Sequence, residues 1–191
     1  MEAFWVSTGL VALGEMGDKT QLLAMLLAAR FKKPVPIMLG ILLATLANHA
    51  LAGALGGWIA AVLGPDVLRW VVGLSFIAMA VWMLIPDAIE SDLAIRDVAA
   101  WGVLGTTFVA FFVAEMGDKT QIATVALAAR YSDLLAVVAG STAGMMLANV
   151  PAVYLGNRLG ERLSMAWVHG VSAVLFLALG VATLLNLGRL F

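Results

Sequence analysis

Glu15-Met16-Gly17-Asp18-Lys19-Thr20-Gln21 occurs twice in this 191-residue chain; the second copy is Glu115-Met116-Gly117-Asp118-Lys119-Thr120-Gln121. The copies lie one hundred residues apart, and the match runs on to Arg30 and Arg130, with 11 of 16 positions identical between 15–30 and 115–130. Each copy puts two carboxylates, an ammonium, a hydroxyl and an amide into the middle of a long apolar run. Such groups are costly in hydrocarbon, so their place there points to a function.

Around the two motifs the chain is unusually apolar. Hydrophobic residues make up 63 %, and the mean hydropathy is +1.02, against about 45–50 % apolar residues in soluble domains. The reading is an all-α integral membrane protein forming one transporter domain over residues 1–191. The net charge of −1 gives no basic face for nucleic acid. With no cysteine there are neither disulfides nor thiolate metal sites. The start, Met1-Glu2-Ala3-Phe4-Trp5, lacks the basic region of a signal peptide, so the first span is expected to stay in the mature protein.

Apolar runs of about 20 residues, bounded by charge, Pro and Trp, predict six spans. They fall at about 3–29, within 37–63, and at about 70–85, 99–129, 134–157 and 165–188. The motifs lie in the first and fourth. Gly40 matches Gly140, Leu46-Ala47-Asn48 matches Leu147-Ala148-Asn149 with one residue slipped, and Trp70 and Gly73 match Trp167 and Gly170. Each half therefore reads as three helices, residues 1–86 and 98–191, joined by an acidic loop at 87–97. An odd number of spans per repeat makes the second half enter from the opposite side, the inverted-repeat plan of many carriers. Lys and Arg in the short loops set the orientation. One side carries Arg30, Lys32, Lys33, Arg96, Arg158 and Arg162; the other carries Arg69, Arg130 and Arg189. The first is expected to be cytoplasmic, with both termini outside. Trp5, Trp58, Trp70, Trp101 and Trp167 near span ends read as interfacial anchors.

On a helix, Glu15 and Asp18 share a face, as do Glu115 and Asp118. Facing lipid, each carboxylate would cost roughly 2.5–3.5 kcal/mol, so both pairs are expected to face inward and meet near the midplane. Four carboxylates and the ammonium groups of Lys19 and Lys119 leave a charge of −2, which one divalent cation neutralises. Hard oxygen ligands suit Mg, Ca and Mn. Asn48 and Asn149 join the four acids as expected metal ligands, and Thr20, Thr120, Gln21 and Gln121 could add neutral oxygens along the pathway. The lysines read as charge balancers, since an ammonium has no lone pair. Gly17 and Gly117 weaken the helix and invite a local opening that frees carbonyls. The plainer alternative is a set of structural ion pairs, Glu15–Lys19 and Glu115–Lys119; packing alone, however, need not repeat seven consecutive residues. Met16 and Met116 read as packing residues rather than soft ligands. His49 and His169 have no counterpart in the other half (Val150 and Val72 stand there) and read as incidental polar residues.

Two copies of E-x-G-D-[KR]-[ST] in a duplicated six-span chain resemble the MneA-type manganese exporters of bacteria, whose eukaryotic relatives are the Golgi manganese/calcium–proton transporters. The resemblance covers nearly the whole chain, and both motifs are intact. It implies an inner-membrane carrier, not an enzyme, that moves Mn²⁺ out of the cytoplasm in exchange for another cation, H⁺ being the one expected. Glu15, Asp18, Glu115 and Asp118 would be the acidic positions, with Lys19, Thr20, Lys119 and Thr120 completing the motifs. The short N-terminal region implies a bacterial rather than a eukaryotic member. No cofactor is implied beyond the transported ion. The alternatives are a Ca²⁺/H⁺ antiporter of the same architecture and, further off, an exporter of a cationic amino acid. Against a membrane enzyme stands the lack of a nucleophile–base pair, an HExxH motif or a phosphate-cradling loop.

Overall fold

The computed structural model describes residues 1–85, 98–155 and 165–186. Among these there are eight helices: α1 (Glu2–Glu15), α2 (Lys19–Phe31), α3 (Pro34–Val62), α4 (Pro65–Trp82), α5 (Val98–Glu115), α6 (Lys119–Arg130), α7 (Leu134–Leu155) and α8 (Met165–Leu184). The two motif-bearing runs are thus each broken in two, and the breaks fall at Met16-Gly17-Asp18 and Met116-Gly117-Asp118. With 14 residues in α1 and 13 in α2, neither half of the first run exceeds ~21 Å at 1.5 Å per residue. Together the halves are long enough for a hydrocarbon core of ~30 Å, and the break falls near the middle.

The proline-marked boundaries shift outward. Pro34 and Pro65 sit inside the first turns of α3 and α4, where a missing N–H costs nothing and the ring presets φ. The two spans therefore begin three and five residues earlier than expected. α7 runs through Pro151.

Three helices, Pro34–Val62, Pro65–Trp82 and Leu134–Tyr154, are long and apolar enough to cross a membrane, with shorter apolar helices at Gly102–Glu115 and His169–Leu184. The radial distribution of polarity agrees. On α3, Thr45, Asn48 and His49 are fully buried, whereas Leu39, Leu43, Leu51, Leu55 and Trp58 are exposed. Large apolar side chains outside and polar ones inside suit a bilayer. Trp5, Trp58 and Trp70 are exposed as expected of anchors; the side chains of Trp101 and Trp167, and the loops carrying Arg96, Arg158, Arg162 and Arg189, lie outside the described residues.

The first half packs across the second. α1 lies along α7, α3 along α5 and α6, and α4 along α8. Gly40 and Gly140 make the first two crossings possible. A Cβ on Gly40 would stand 2.7 Å from Thr107 Cβ and 2.8 Å from the Leu104 carbonyl, and one on Gly140 would collide with the Phe4 backbone. Thr8 Oγ1 donates to the Gly140 carbonyl at 3.0 Å across the α1–α7 crossing. One apolar core gathers Phe76, Met79, Leu127 and Phe176, the Phe76 and Phe176 rings lying 6.2 Å apart. A second gathers Leu27, Ile37, Ile41 and Phe111. Tyr131 Oη donates to Glu2 Oε1 at 3.1 Å and Arg130 Nη1 to Thr183 Oγ1 at 2.7 Å. The start of α1, the end of α6 and the end of α8 therefore lie together.

Candidate metal centre

Each break is a tight turn with the chemistry of its sequence. Met16 has φ −66° and ψ 118°, Gly17 has φ 84°, and the Asp18 N–H donates to the Glu15 carbonyl at 3.1 Å. This is a type II turn, whose third residue needs positive φ and hence glycine. The second motif repeats it, with Gly117 at φ 78° and the Asp118 N–H on the Glu115 carbonyl at 3.1 Å. Glu15 and Glu115 close one helix; Asp18 and Asp118 are the N-caps of the next, and neither carboxylate makes a capping hydrogen bond. The acid at each cap is thereby left to act elsewhere, beside the positive end of a helix dipole and the negative end of another.

The turns bring the motifs together. Glu15, Glu115 and Asp118 each offer a carboxylate oxygen within 4.8 Å of the others, and all three side chains are buried. Three of the four expected acids therefore converge from both halves. Asp18 is equally buried, at 2 % exposure, but is not one of the three. Glu15 and Asp18 would share a face only on an unbroken helix; the turn at Gly17 removes that geometry, and Asp18 takes its direction from α2 rather than from α1.

The ammonium groups do not follow the i,i+4 pairing. Lys19 Nζ reaches across to Asp118 Oδ1 at 2.9 Å, an ion pair between halves. Lys119, 2 % exposed, donates to the Ile85 carbonyl at 3.3 Å. The break displaces Lys19 from the end of the preceding helix, and its ion pair is with Asp118 of the other half rather than with Glu15.

The neutral residues divide unevenly. Asn149 Nδ2 donates to Glu15 Oε1 at 3.4 Å and to the Met145 carbonyl at 3.1 Å, while its Oδ1 is buried with no hydrogen-bond partner among the described residues. Met145, which also touches Asn149 through its sulfur at 3.0 Å, escaped the sequence reading; its spacing of four residues from Asn149 was the available signal. Asn48 is engaged at both ends by other groups. Its Nδ2 donates to the Phe112 carbonyl at 3.0 Å, and its Oδ1 accepts from Gln121 Nε2 at 3.3 Å. Thr120 Oγ1 donates to Glu115 Oε2 at 3.0 Å; Thr20 Oγ1, equally buried, has no such partner among the described residues. The oxygens of Gln21 and Gln121 are already engaged, accepting from the Gly17 and Gly117 N–H groups at 2.9 and 2.7 Å. Met16 and Met116 are not core residues: each occupies the second position of its turn, and Met116 is 55 % exposed. His49 is fully buried, and neither ring nitrogen has a hydrogen-bond partner among the described residues.

Three buried carboxylates and a carboxamide oxygen with no donor among the described residues can hold a hard divalent cation once the Lys19 ammonium leaves Asp118. A comparison with known families identifies the group to which this arrangement belongs. The model of the divalent cation/proton antiporter family GDT1 matches residues 3–91 and 103–189. The chain belongs to the GDT1 family. A Vibrio cholerae protein provisionally named a manganese exporter is 48 % identical over 184 residues, covering 96 % of this chain and 90 % of that protein. A GDT1-like protein of Synechocystis is 28 % identical over 202 residues, covering 96 % of this chain and 97 % of its own length. The chloroplastic protein PAM71 of Arabidopsis thaliana is 40 % identical over 108 residues, 51 % of this chain and 29 % of that protein. No solved structure matches the chain.

Proposed function

We propose that this GDT1-family protein exports Mn²⁺ from the cytoplasm in exchange for H⁺, through a site in which Glu15, Glu115 and Asp118 hold the ion and Asn149 supplies a neutral oxygen. Asp18 and Asn48 complete the set when the halves move. The observation that carries this reading is the meeting of three buried carboxylate oxygens from both motifs within 4.8 Å of one another, at two helix breaks. The divalent ion would displace the Lys19 ammonium from Asp118. Protons arriving from outside would neutralise carboxylates, weaken the hold on the metal and return across the membrane on the acids. Neutral acids cost less in a low-dielectric path than anions.

The proposed frame is six spans as two inverted three-helix repeats, residues 1–86 and 98–191, in the bacterial inner membrane with both termini outside. The Tyr131–Glu2 and Arg130–Thr183 contacts support it. They group the start of α1 with the ends of α6 and α8, as a chain of that topology requires. Ca²⁺/H⁺ exchange through the same oxygens is the second reading, favoured by a site built of hard ligands with no thiolate. Purified protein in liposomes should carry Mn²⁺ at a rate that dissipates an imposed pH gradient, and Glu115→Gln should abolish both fluxes. Flux indifferent to pH and to that substitution would end the proton-coupled reading. Competition by Ca²⁺ at concentrations near those of Mn²⁺ would turn the assignment to the second.

A further inference from the structure

Gln21 and Gln121 stand three residues after the N-caps Asp18 and Asp118. In a capping box that position reaches back to the N–H of the cap residue itself. Here the cap N–H is already spent on the turn, on the Glu15 and Glu115 carbonyls, and each glutamine reaches one residue further. Its Oε1 accepts from the glycine N–H, at 2.9 Å in the first half and 2.7 Å in the second. The other end of each amide leaves its own half. Gln21 Nε2 donates to the Ala148 carbonyl on α7 at 3.1 Å, next to Asn149. Gln121 Nε2 donates to Asn48 Oδ1 on α3 at 3.3 Å. The same two-ended bond thus forms twice, each time from a carboxylate turn to the asparagine segment of the opposite half.

We propose that Gln21 and Gln121 are positioning residues for metal exchange: each amide fixes its carboxylate turn with the oxygen and ties that turn to the opposite half with the nitrogen, so that a change at the acids moves both halves together. This rests on the metal-exchange reading above. An amide alone among side chains of this length offers both a donor and an acceptor. Glutamate would keep the turn and lose the tie; methionine would lose both. Gln121 also occupies the oxygen of Asn48. Freeing the tie would let Asn48 reach the ion as Asn149 does, and the tie is therefore also the step at which the ligand set changes.

The test pairs equilibrium and rate on the same preparations. Mn²⁺ affinity is measured by titration calorimetry in detergent, and Mn²⁺ flux at saturating metal in proteoliposomes, for the wild type, Gln21→Met, Gln121→Met, Asn48→Ala and the double variants Gln121→Met/Asn48→Ala and Gln21→Met/Asn48→Ala. A positioning role predicts that each Gln→Met variant lowers maximal flux by about tenfold or more while the dissociation constant moves by no more than about threefold, a split that general damage would not give. Gln121→Met and Asn48→Ala share one bond, so the flux loss of their double variant should fall short of the product of the single losses; Gln21→Met combined with Asn48→Ala should multiply. Should Gln121→Met fail to fold, Gln121→Glu keeps the turn bond and must still lose flux. Unchanged flux, a parallel loss of affinity and flux, or independent effects of Gln121 and Asn48 would overturn the proposal. A wild type that neither binds nor carries Mn²⁺ would instead sink the exchange reading itself.

Discussion

Replacing Gly117 by alanine should close the second break. Gly117 sits at φ 78°, a region that costs an L-residue with a Cβ roughly 1–2 kcal/mol. A Cβ there meets nothing within 4 Å, so no collision contributes and the penalty is conformational alone. In the competing continuous helix the sign reverses, because alanine is favoured over glycine by about 1 kcal/mol. The two effects add, moving the balance between broken and unbroken forms by about 2–3 kcal/mol, or some 30- to 150-fold. An unbroken helix would carry Asp118 round from its cap position, away from Lys19 and from the Glu15–Glu115 pair. Proteoliposome Mn²⁺ flux and thermal unfolding in detergent read the outcome: flux should fall by at least about tenfold, and the melting temperature should drop or the transition broaden. Two controls isolate the cause. Gly57→Ala, inside α3 with nothing within 4 Å of the added carbon, should be neutral or stabilising by about 0.5–1 kcal/mol. Gly117→Asn, tolerant of left-handed backbone, should keep more flux than Gly117→Ala. Wild-type flux and melting in Gly117→Ala, or equal damage from Asn and Ala, would refute the turn as the reason for the glycine.

Gly140→Ala should destabilise by about 1–3 kcal/mol through its collision with the Phe4 backbone, whereas Gly9→Ala, with open space around it, should not; parallel melts decide. Lys19→Met leaves Asp118 buried without the ammonium now 2.9 Å away. The metal-free protein should lose about 1–2 kcal/mol, the partial exposure of Lys19 moderating the loss, and added Mn²⁺ should raise the melting temperature more than in the wild type. Mn²⁺ affinity should fall as pH falls, because a protonated carboxyl offers neither charge nor a full ligand. The limit is about tenfold per pH unit for each proton displaced, and calorimetry in buffers of differing protonation enthalpy counts those protons. Thr183→Val removes the acceptor of Arg130 at 2.7 Å and should cost about 1–2 kcal/mol in a thermal melt.

The membrane class, the pairing of the two motifs and the burial of their acids were legible because they depend on solvation alone: apolar length and misplaced charge. The local opening expected at Gly17 and Gly117 is present, but its form, a turn followed by a capped helix start, was not read, although its signals lie inside the repeated stretch. Glu-Met-Gly-Asp carries glycine where a type II turn needs it, and Asp-Lys-Thr-Gln carries the cap and third-residue pattern of a helix start. A hydropathy window passes over both, since the apolar residues on either side satisfy its length. Everything that depends on direction then shifted. Glu15 and Asp18 do not act as neighbours on one helix face, Lys19 pairs with Asp118 rather than Glu15, and the glutamine oxygens serve the turns instead of an ion. Asn48 and Asn149 look equivalent in sequence, yet one is bonded to Gln121 and the other to Glu15. No local pattern distinguishes them; packing does.

That packing difference can be traced to a few residues. α2 and α6 are nearly the same sequence in unlike seats: Ala29 and Arg30 are exposed, whereas Ala129 and Arg130 are 6 % and 8 % exposed. Local propensity cannot separate two stretches that share 11 of 16 residues. The seat of α6 can. It lies against α3 at Gly56, where any Cβ would strike the Val125 carbonyl and crowd the side chain of Ala128 at 2.9 Å. In the other copy the place of Ala126, 5 % exposed, is taken by Leu26, 54 % exposed. A leucine is too large for a seat fitted to an alanine. The two halves thus share their turns and caps and differ in docking surface. The docked α6 and the looser α2 follow from those side chains.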